Sequence, residues 1–167
     1  MRNYRTNPVL EAKIKNLKEL KKTIARLKAK GKKIVFTNGC FDLLHYGHVK
    51  YLEAAKRKGD ILVVAINSDA SVKKIKGRKR PIRKDHDRLR IVAALASVDY
   101  VVLFKEVTPF KVIQLLKPDI LIKGADWNKA NIVGSDIVLA YGGRVSTVRL
   151  IKGRSTTNLI KKIAQAF

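Results

Sequence analysis

Cysteine, acidic residues and aromatic residues are all scarce in this chain of 167 residues. Cys40 is the single cysteine, so an intrachain disulfide is excluded, and such a composition is typical of a reducing compartment. Aromatic residues make up 7%, and the sequence lacks the interleaved aromatic and basic residues of a platform for single-stranded nucleic acid. These shortages favour a domain held together by an ordinary apolar core.

Long apolar runs are also missing. No segment approaches eighteen uninterrupted apolar residues, so we expect no transmembrane span and no membrane partner. Residues 1–20 are basic and lack the continuous apolar region and small-residue cleavage site of a signal peptide. The sequence therefore predicts a cytoplasmic protein with a single domain over residues 1–167.

The shortage of acidic residues leaves a large positive charge. Lys and Arg number 37 against 13 Asp and Glu, which gives a net charge of +24. Such a field attracts polyanions, whether nucleic acids, nucleotides or anionic membranes, and does not discriminate among them. Much of the charge lies in residues 11–33, where the pattern favours a solvated helix face. A basic nucleic-acid-binding protein is thus an alternative function, although nucleic acid is not the expected partner.

The order of apolar patterns predicts the fold class. Steps of three and four between apolar residues from Leu10 to Leu27 predict one basic amphipathic helix within residues 1–31, ended by Gly31 and packed on the domain. The predicted strands cover residues 33–39, 61–69, 99–104, 118–124 and 144–150. The predicted helices cover residues 48–60, 87–98, 108–117, 131–143 and 155–167, and residues 71–87 are predicted as a basic loop. This alternation indicates an α/β fold, a Rossmann-like doubly wound five-stranded parallel sheet with helices on both faces.

Three helix starts carry recognisable signals. Asp85 or Asp87 is expected to cap the helix over residues 87–98. Pro109 is expected in the first turn of its helix, where the missing N–H has no cost. Ser155 is the expected N-cap of the last helix.

Ligands of such sheets bind beyond the carboxyl ends of the strands, which directs attention to His45 and His48 after the first strand. Residues three apart at a helix start share a face, so both imidazoles could donate to one phosphate beside the positive helix end, and Gly47 between them would leave room for a ligand. A packed histidine pair is the plain alternative. A zinc site with Cys40 lacks a fourth ligand nearby, and neither a Walker A loop nor a G-x-G-x-x-G fingerprint is present.

Two motifs carry a resemblance to a known family. The stretch NGCFDLLHYGH contains a His-x-Gly-His motif, and GRSTTNLI contains Ser-Thr-Thr at a helix start. Both resemble the signatures of the cytidylyltransferase-like nucleotidyltransferases. The intervening stretches INSDASVKKIKGRKRPI, DRLRIVAAL, VDYVV, PDILIKGAD and AYGG are similar to the branch that makes ADP-heptose, which often forms the second half of a bifunctional enzyme. The resemblance covers the chain from about Lys33 to Phe167.

The resemblance implies transfer of AMP from ATP to D-glycero-D-manno-heptose 1-phosphate, giving ADP-heptose and pyrophosphate for lipopolysaccharide core precursors. The acceptor phosphate attacks the α-phosphorus in line, and no covalent enzyme intermediate forms. Mg²⁺ would accompany ATP, and the protein itself is expected to hold no other metal. ATP and the sugar 1-phosphate are then the partners, a separate kinase would supply the acceptor, and a homodimer is allowed.

The family motifs also imply roles for individual residues. The implied catalytic residues are His45, His48 and Lys76. The implied nucleotide-binding residues are Thr37, Asn38, Gly39, Cys40, Phe41, Gly47, Arg88, Lys123, Gly124, Asp126, Ser155, Thr156 and Thr157. The implied substrate-binding residues are Asp42, Asn67, Asp69 and Trp127.

Several of these assignments have a structural alternative. Thr37 and Asn38 could belong to an ordinary strand-to-helix loop, and Cys40 could pack as a small buried residue. Asp42 could cap the helix that follows the first strand or lie near the metal, and the structural role is preferred. Arg88 could contact phosphate or form a salt bridge.

Two departures from the family pattern bear on the substrate. Glycerol-phosphate cytidylyltransferases carry an arginine where Leu150 stands here, which favours the heptose branch. Trp127, in contrast, resembles the glycerol-phosphate branch. A cytidylyltransferase acting on glycerol 3-phosphate or another polyol or amino-alcohol phosphate is therefore the alternative enzyme.

Overall fold

The computed structural model describes residues 7–125, 131–151 and 153–166. Five strands and eight helices are found within these ranges. The strands are β1 (Ile34–Gly39), β2 (Ile61–Asn67), β3 (Tyr100–Phe104), β4 (Ile120–Gly124) and β5 (Arg144–Val148). The helices are α1 (Pro8–Lys13), α2 (Leu17–Ala29), α3 (Tyr46–Lys56), α4 (Asp69–Lys76), α5 (Asp85–Ala93), α6 (Phe110–Leu116), α7 (Ser135–Ala140) and α8 (Thr156–Ala166).

The five strands form one parallel sheet in the order β3-β2-β1-β4-β5. Alternate residues of β1 enter two different cores. Val35 packs with α3 and α5 on one face, whereas Ile34 and Phe36 pack with α2 and α6 on the other. Because both faces are covered, the strands are nearly continuous apolar runs, as parallel sheets require. The predicted fold class is confirmed.

The strand order places the switch point between β1 and β4. The chain moves outward from β1 to β2 and β3, and then returns to β4 on the opposite side of β1. Neighbouring loops at this point leave in opposite directions, so a crevice opens beyond the carboxyl ends of the strands. The loops after all five strands can therefore contribute to one site.

The N-terminal helix is interrupted, contrary to the single helix predicted from the apolar spacing. Asn16 begins α2 with a capping box, in which its Oδ1 accepts from Glu19 N and its own N–H donates to Glu19 Oε2. Just before it, Ile14 forms a parallel bridge with Val101, and Lys15 N donates to Val101 O. The apolar period continues across the break because Ile14 stays against the core. Gly31, with φ +72°, lies just beyond α2.

Three further local predictions need correction. The predicted basic loop begins inside α4, which is capped by Ser68 Oγ accepting from Ser71 N. Helix α5 has Lys84 at its N-cap position, so neither Asp85 nor Asp87 is the cap. Asp85 Oδ2 instead accepts from Asp69 N at 3.1 Å and joins the two helix starts. Pro109 is the N-cap residue of α6 and not part of its first turn.

Within the described ranges, no helix is both long enough and apolar enough to cross a membrane.

Candidate functional site

A cavity of about 610 Å³ lies at the carboxyl end of the sheet. The loops after all five strands contribute to its lining, as the switch point predicts. It brings together most of the residues singled out from the sequence. These are Asn38, Gly39, Cys40, Phe41, Asp42, His45, Gly47, His48, Asn67, Lys76, Lys123, Gly124, Ser155, Thr156 and Thr157.

The described residues that were singled out but do not line this cavity are Thr37, Asp69 and Arg88. Thr37 is fully buried, and its hydroxyl lies 2.7 Å from the Tyr51 hydroxyl. Arg88 is also fully buried and donates to Asp69 Oδ1 at 2.7 Å and to Cys40 O at 2.6 Å. Of the two alternatives for Arg88, the salt bridge is therefore the contact observed. Asp126 and Trp127 lie outside the described residues.

His45 and His48 face each other at the start of α3. Their ring centroids are 4.0 Å apart, and the His48 ring also packs 5.3 Å from that of Phe41. Burial, reinforced by the positive charge of Arg154, lowers the pKa of His45. Burial, with repulsion from His45, lowers the pKa of His48 to about 4. Both imidazoles are therefore neutral near pH 7, and each has one N–H that can donate.

The buried Nδ1 atoms of both histidines lack a hydrogen-bond partner among the described residues, as does Asn38 Oδ1. Leaving a buried polar atom unpaired costs about 1–3 kcal/mol. All three residues line the same cavity. Their arrangement is consistent with polar atoms whose partner is a bound molecule.

Gly47 is required by close packing at the same point. A Cβ added there would lie 3.0 Å from His45 Cε1 and Nδ1, and 3.2 Å from Arg154 Cβ. The start of α3 therefore packs directly against the segment that precedes α8. A side chain at position 47 would displace the imidazole as well as crowd a ligand.

The start of α8 completes this side of the cavity. Ser155 Oγ accepts from Asn158 N at 3.1 Å, which confirms the predicted N-cap. The Thr156 hydroxyl donates to Leu43 O at 3.3 Å and ties α8 to the loop after β1. Two helix N-termini thus meet at one cavity, and each presents backbone N–H groups and a partial positive charge suited to an anion.

The loop after β1 has a tightly constrained backbone. Phe41 has φ +47°, a left-handed conformation that a bulky residue seldom adopts. Its ring lies close to Gly39, where an added Cβ would be 3.0 Å from Phe41 Cε2. Lys123 Nζ donates to Asn38 O at 3.2 Å and links the end of β1 to the end of β4. Burial raises the pKa of the Cys40 thiol, against the lowering effect of Lys76, so Cys40 stays protonated near pH 7.

Asp42 is almost completely buried, and both of its oxygens are engaged. Oδ1 accepts from Ile82 N and Arg83 N, and Oδ2 accepts from Arg80 Nε. Burial opposes ionisation, but the two backbone donors and the Arg80 guanidinium outweigh it and lower the pKa of Asp42. Asp42 therefore does not cap α3, which has His45 at its N-cap position, and its structural contacts instead hold the segment around Arg80 against the loop after β1.

Sequence reasoning missed several lining residues, including Tyr51, Arg80 and Val133. Tyr51 could have been found, because it lies one helical turn after His48 on the same face of α3. Arg80 could not, because its partner Asp42 is 38 positions away and no periodic pattern connects them.

Among the described residues, no group of three or more His, Cys, Asp or Glu side chains is placed to hold a metal ion. Among the described lining residues Asp42 is the one carboxylate, and both of its oxygens already accept hydrogen bonds. The lining instead carries the cations Lys76, Arg80, Lys123 and Arg154. This composition suits a polyanionic ligand.

The chain is similar to curated proteins over most of its length. "Bifunctional protein HldE" of Geobacter metallireducens is 57% identical over 157 residues, which cover 94% of this chain and 32% of that protein. The protein of the same name from Geobacter sulfurreducens is 53% identical over the same share. This chain therefore spans about a third of the length of these curated relatives.

Solved structures share the fold. A lipopolysaccharide core biosynthesis protein from Thermoplasma volcanium has 34% identity and a TM-score of 0.61, over 73% of this chain and 98% of that one. A pantoate-beta-alanine ligase from Francisella tularensis has a TM-score of 0.61 at 16% identity, over 91% of this chain and 78% of that one, which shows the fold alone.

The family model named Cytidylyltransferase-like matches residues 36–162, a span that includes both helix N-termini of the cavity. The family model covers most of the chain, and the similarity to the curated relative from Geobacter metallireducens covers 94% of it. The chain therefore belongs to the cytidylyltransferase-like family of nucleotidyltransferases.

Proposed function

We propose that the protein transfers AMP from ATP to D-glycero-D-manno-heptose 1-phosphate, giving ADP-heptose for lipopolysaccharide core precursors and releasing pyrophosphate. One observation carries the proposal. A single cationic cavity is lined by the neutral His45 and His48 at the start of α3 and by a hydroxyl cluster at the start of α8. The hydroxyl cluster consists of Ser155, Thr156 and Thr157. The choice of ATP and heptose rests on the heptose-branch stretches of the sequence, and the similarity to a lipopolysaccharide core biosynthesis protein supports the setting.

The reaction needs little acid–base chemistry. An oxygen of the acceptor phosphate attacks the α-phosphorus of ATP and forms a new P–O–P linkage. The bond from that phosphorus to the bridging oxygen breaks, and the electron pair leaves with pyrophosphate. Because the attacking oxygen is already anionic, no strong base is required, and catalysis depends on position and on stabilising charge.

The residues of the cavity supply that stabilisation. Imidazole N–H groups of His45 and His48 donate to oxygens of the triphosphate, where negative charge develops. The backbone N–H groups at the start of α8, with the hydroxyls of Ser155, Thr156 and Thr157, hold the same polyphosphate. Lys76 and Lys123, which also line the cavity, add positive charge. The role of each residue is part of the proposal.

Mg²⁺ fits the proposal as a companion of ATP more than as a protein-held ion. Mg²⁺ commonly keeps several waters and binds through one or two carboxylates together with substrate phosphates. The described lining offers only Asp42, whose oxygens are occupied by Arg80, Ile82 and Arg83. The triphosphate would then supply most of the ligands. When bound, the ion neutralises charge on the leaving pyrophosphate.

The acceptor would be made by a sugar kinase activity, and the reaction would take place in the cytoplasm. A homodimer and a single functional domain over residues 1–167 are also proposed.

The direct test measures pyrophosphate release from protein, Mg²⁺, ATP and heptose 1-phosphate. We expect turnover with this pair and much slower turnover with CTP or with glycerol 3-phosphate. Faster turnover with CTP and a polyol or amino-alcohol phosphate would instead identify the protein as the alternative enzyme, a cytidylyltransferase. Absence of pyrophosphate release across all four nucleotides and a panel of phosphorylated sugars and polyols would overturn the enzyme assignment.

A further inference from the structure

The cavity has two sides, which follow from the strand order. Segments after β4 and β5 lie on one side of β1 and contribute Gly124 and Ser155–Thr157. Segments after β2 and β3 lie on the other side and contribute Asn67, Arg80 and Thr108. The hydroxyl cluster and both helix N-termini provide a polyphosphate site toward the β4–β5 side. The β2–β3 side is then left for the second phosphorylated substrate.

Among the described residues, the Arg80 guanidinium is held on the β2–β3 side by one hydrogen bond, made from its Nε edge. Its Nε donates to Asp42 Oδ2, and the side chains of Arg80 and Asp42 are only 18% and 1% exposed. Within residues 7–125, 131–151 and 153–166, Nη1 and Nη2 of Arg80 have no hydrogen-bond partner. A guanidinium held in this way keeps the paired donors of its other edge available in a fixed orientation.

We infer that Arg80 binds the phosphate of the acceptor through its Nη atoms, and that Asp42 is the positioning residue that holds Arg80 for this task. The inference rests on the proposed function for the existence of a phosphorylated acceptor. A bidentate arginine–phosphate pair gives both strength and orientation. Orientation matters here, because the attacking oxygen must lie in line with the bond that breaks.

Lysine cannot replace arginine in this arrangement. One planar guanidinium can donate to Asp42 from Nε and to phosphate from two Nη atoms, whereas an ammonium has a single donor atom. Arg80→Lys therefore keeps the positive charge but cannot donate to Asp42 and to the phosphate from separate donor atoms. Arg78→Lys is the matched control, because Arg78 is exposed, is two residues away and does not line the cavity.

The first experiment is steady-state kinetics at constant ionic strength. We expect Arg80→Lys to raise KM for the acceptor about tenfold or more, and to change KM for ATP by less than about threefold. Arg80→Met, which keeps the aliphatic stem, should act in the same direction and more strongly. Arg78→Lys should match the wild type. Acceptor KM within twofold of wild type in a folded Arg80 variant, or an equal rise in KM for ATP, would overturn the inference.

A second experiment separates this inference from the proposed function. Heptose 1-phosphate is titrated by calorimetry into the protein saturated with a non-hydrolysable ATP analogue. Binding to wild type that is lost in Arg80→Lys supports the inference even if no turnover occurs, in which case only the proposed function fails. Equal binding to both proteins, or binding to neither, overturns the role of Arg80. Turnover with intact binding in Arg80→Lys would overturn the inference and leave the proposed function standing.

The role of Asp42 is tested by coupling. Asp42→Asn keeps an oxygen for the backbone donors Ile82 and Arg83 but cannot keep the charged pair with Arg80. It should raise acceptor KM in the same direction as Arg80→Lys, and the double variant should be no worse than Arg80→Lys alone. If Asp42 were only structural, Asp42→Asn would lower stability without raising acceptor KM more than KM for ATP. Additive effects of the two substitutions on acceptor KM would contradict the role of Asp42 in positioning Arg80.

Discussion

The two helix N-termini that face the cavity satisfy their polar groups in different ways. In the described structure, α3 follows His45, whose side chain makes no capping hydrogen bond, and the Nδ1 atoms of His45 and His48 are buried without partners. Helix α8 follows Ser155, which caps it through Asn158 N. Among the described residues, the start of α3 thus leaves polar atoms without a partner, whereas the start of α8 is capped by the chain itself.

Burial strengthens the contrast. His48 packs against Phe41 and His45, so its position is set before any ligand arrives. None of the described residues of α8 is buried, and its start is held by the Ser155 cap and the Thr156 contact with Leu43 O. We therefore expect substitutions at the start of α3 to change turnover more than stability. Those at the start of α8 should change stability at least as clearly as turnover.

His48→Ala should have the largest effect on turnover. Loss of an N–H that donates to developing charge lowers kcat on the order of a hundredfold or more. The free energy of unfolding at pH 7 should change much less, because the substitution also removes a buried Nδ1 that has no partner among the described residues. The pyrophosphate assay and urea unfolding measure the two effects.

His86→Ala is the matched control for this substitution, because His86 is exposed on α5 and does not line the cavity. It should leave kcat unchanged. Near-normal turnover of His48→Ala would mean that the buried imidazole only packs. The start of α3 would then not differ from the start of α8 in its importance for turnover.

The dependence of stability on pH should come next in size. The pKa of His48 is lowered from its usual 6.5 to about 4, and the pKa of His45 is lowered as well. Between these pH values the unfolded chain binds more protons than the folded protein, so stability falls as pH falls from 6.5 toward 4. After allowance for partial exposure, the loss attributable to His48 should be about 2 kcal/mol.

Urea unfolding at pH 7 and pH 4.5 measures this loss. His48→Ala should show a shallower fall over that range than the wild type, because its titrating group is gone. Parallel pH profiles for the two proteins would mean that His48 is not buried as a neutral imidazole in solution.

The start of α3 was predictable from sequence because its signals are local. Two histidines and a glycine at a helix start, in the loop region after a strand, indicate both the place in the sheet and the face of the helix. Ser155 was predictable for the same reason, since an N-cap involves residues within one turn. The alternation of strands and helices was sufficient for the sheet, because parallel strands require such crossovers.

Contacts between distant segments were not predictable. The break at Asn16 escaped notice because Ile14 keeps the apolar spacing while bonding to β3. Arg88 lies at the predicted helix start, but its side chain turns inward to Asp69 and Cys40 O. Thr37 likewise points into the core toward Tyr51. In each case a tertiary partner, absent from any local pattern, determined the direction of the side chain.

Ser155→Ala should have the smallest effect and should act on stability first. Removing the acceptor for Asn158 N leaves a helix start uncapped, which costs about 1 kcal/mol. Turnover should fall less than tenfold, because the backbone N–H groups of α8 remain. Ser155→Asn restores a good cap and should recover most of the lost stability in urea unfolding. If Ser155→Ala kept full stability and lost a hundredfold in kcat, the start of α8 would resemble that of α3, with a hydroxyl that serves the ligand and not the helix.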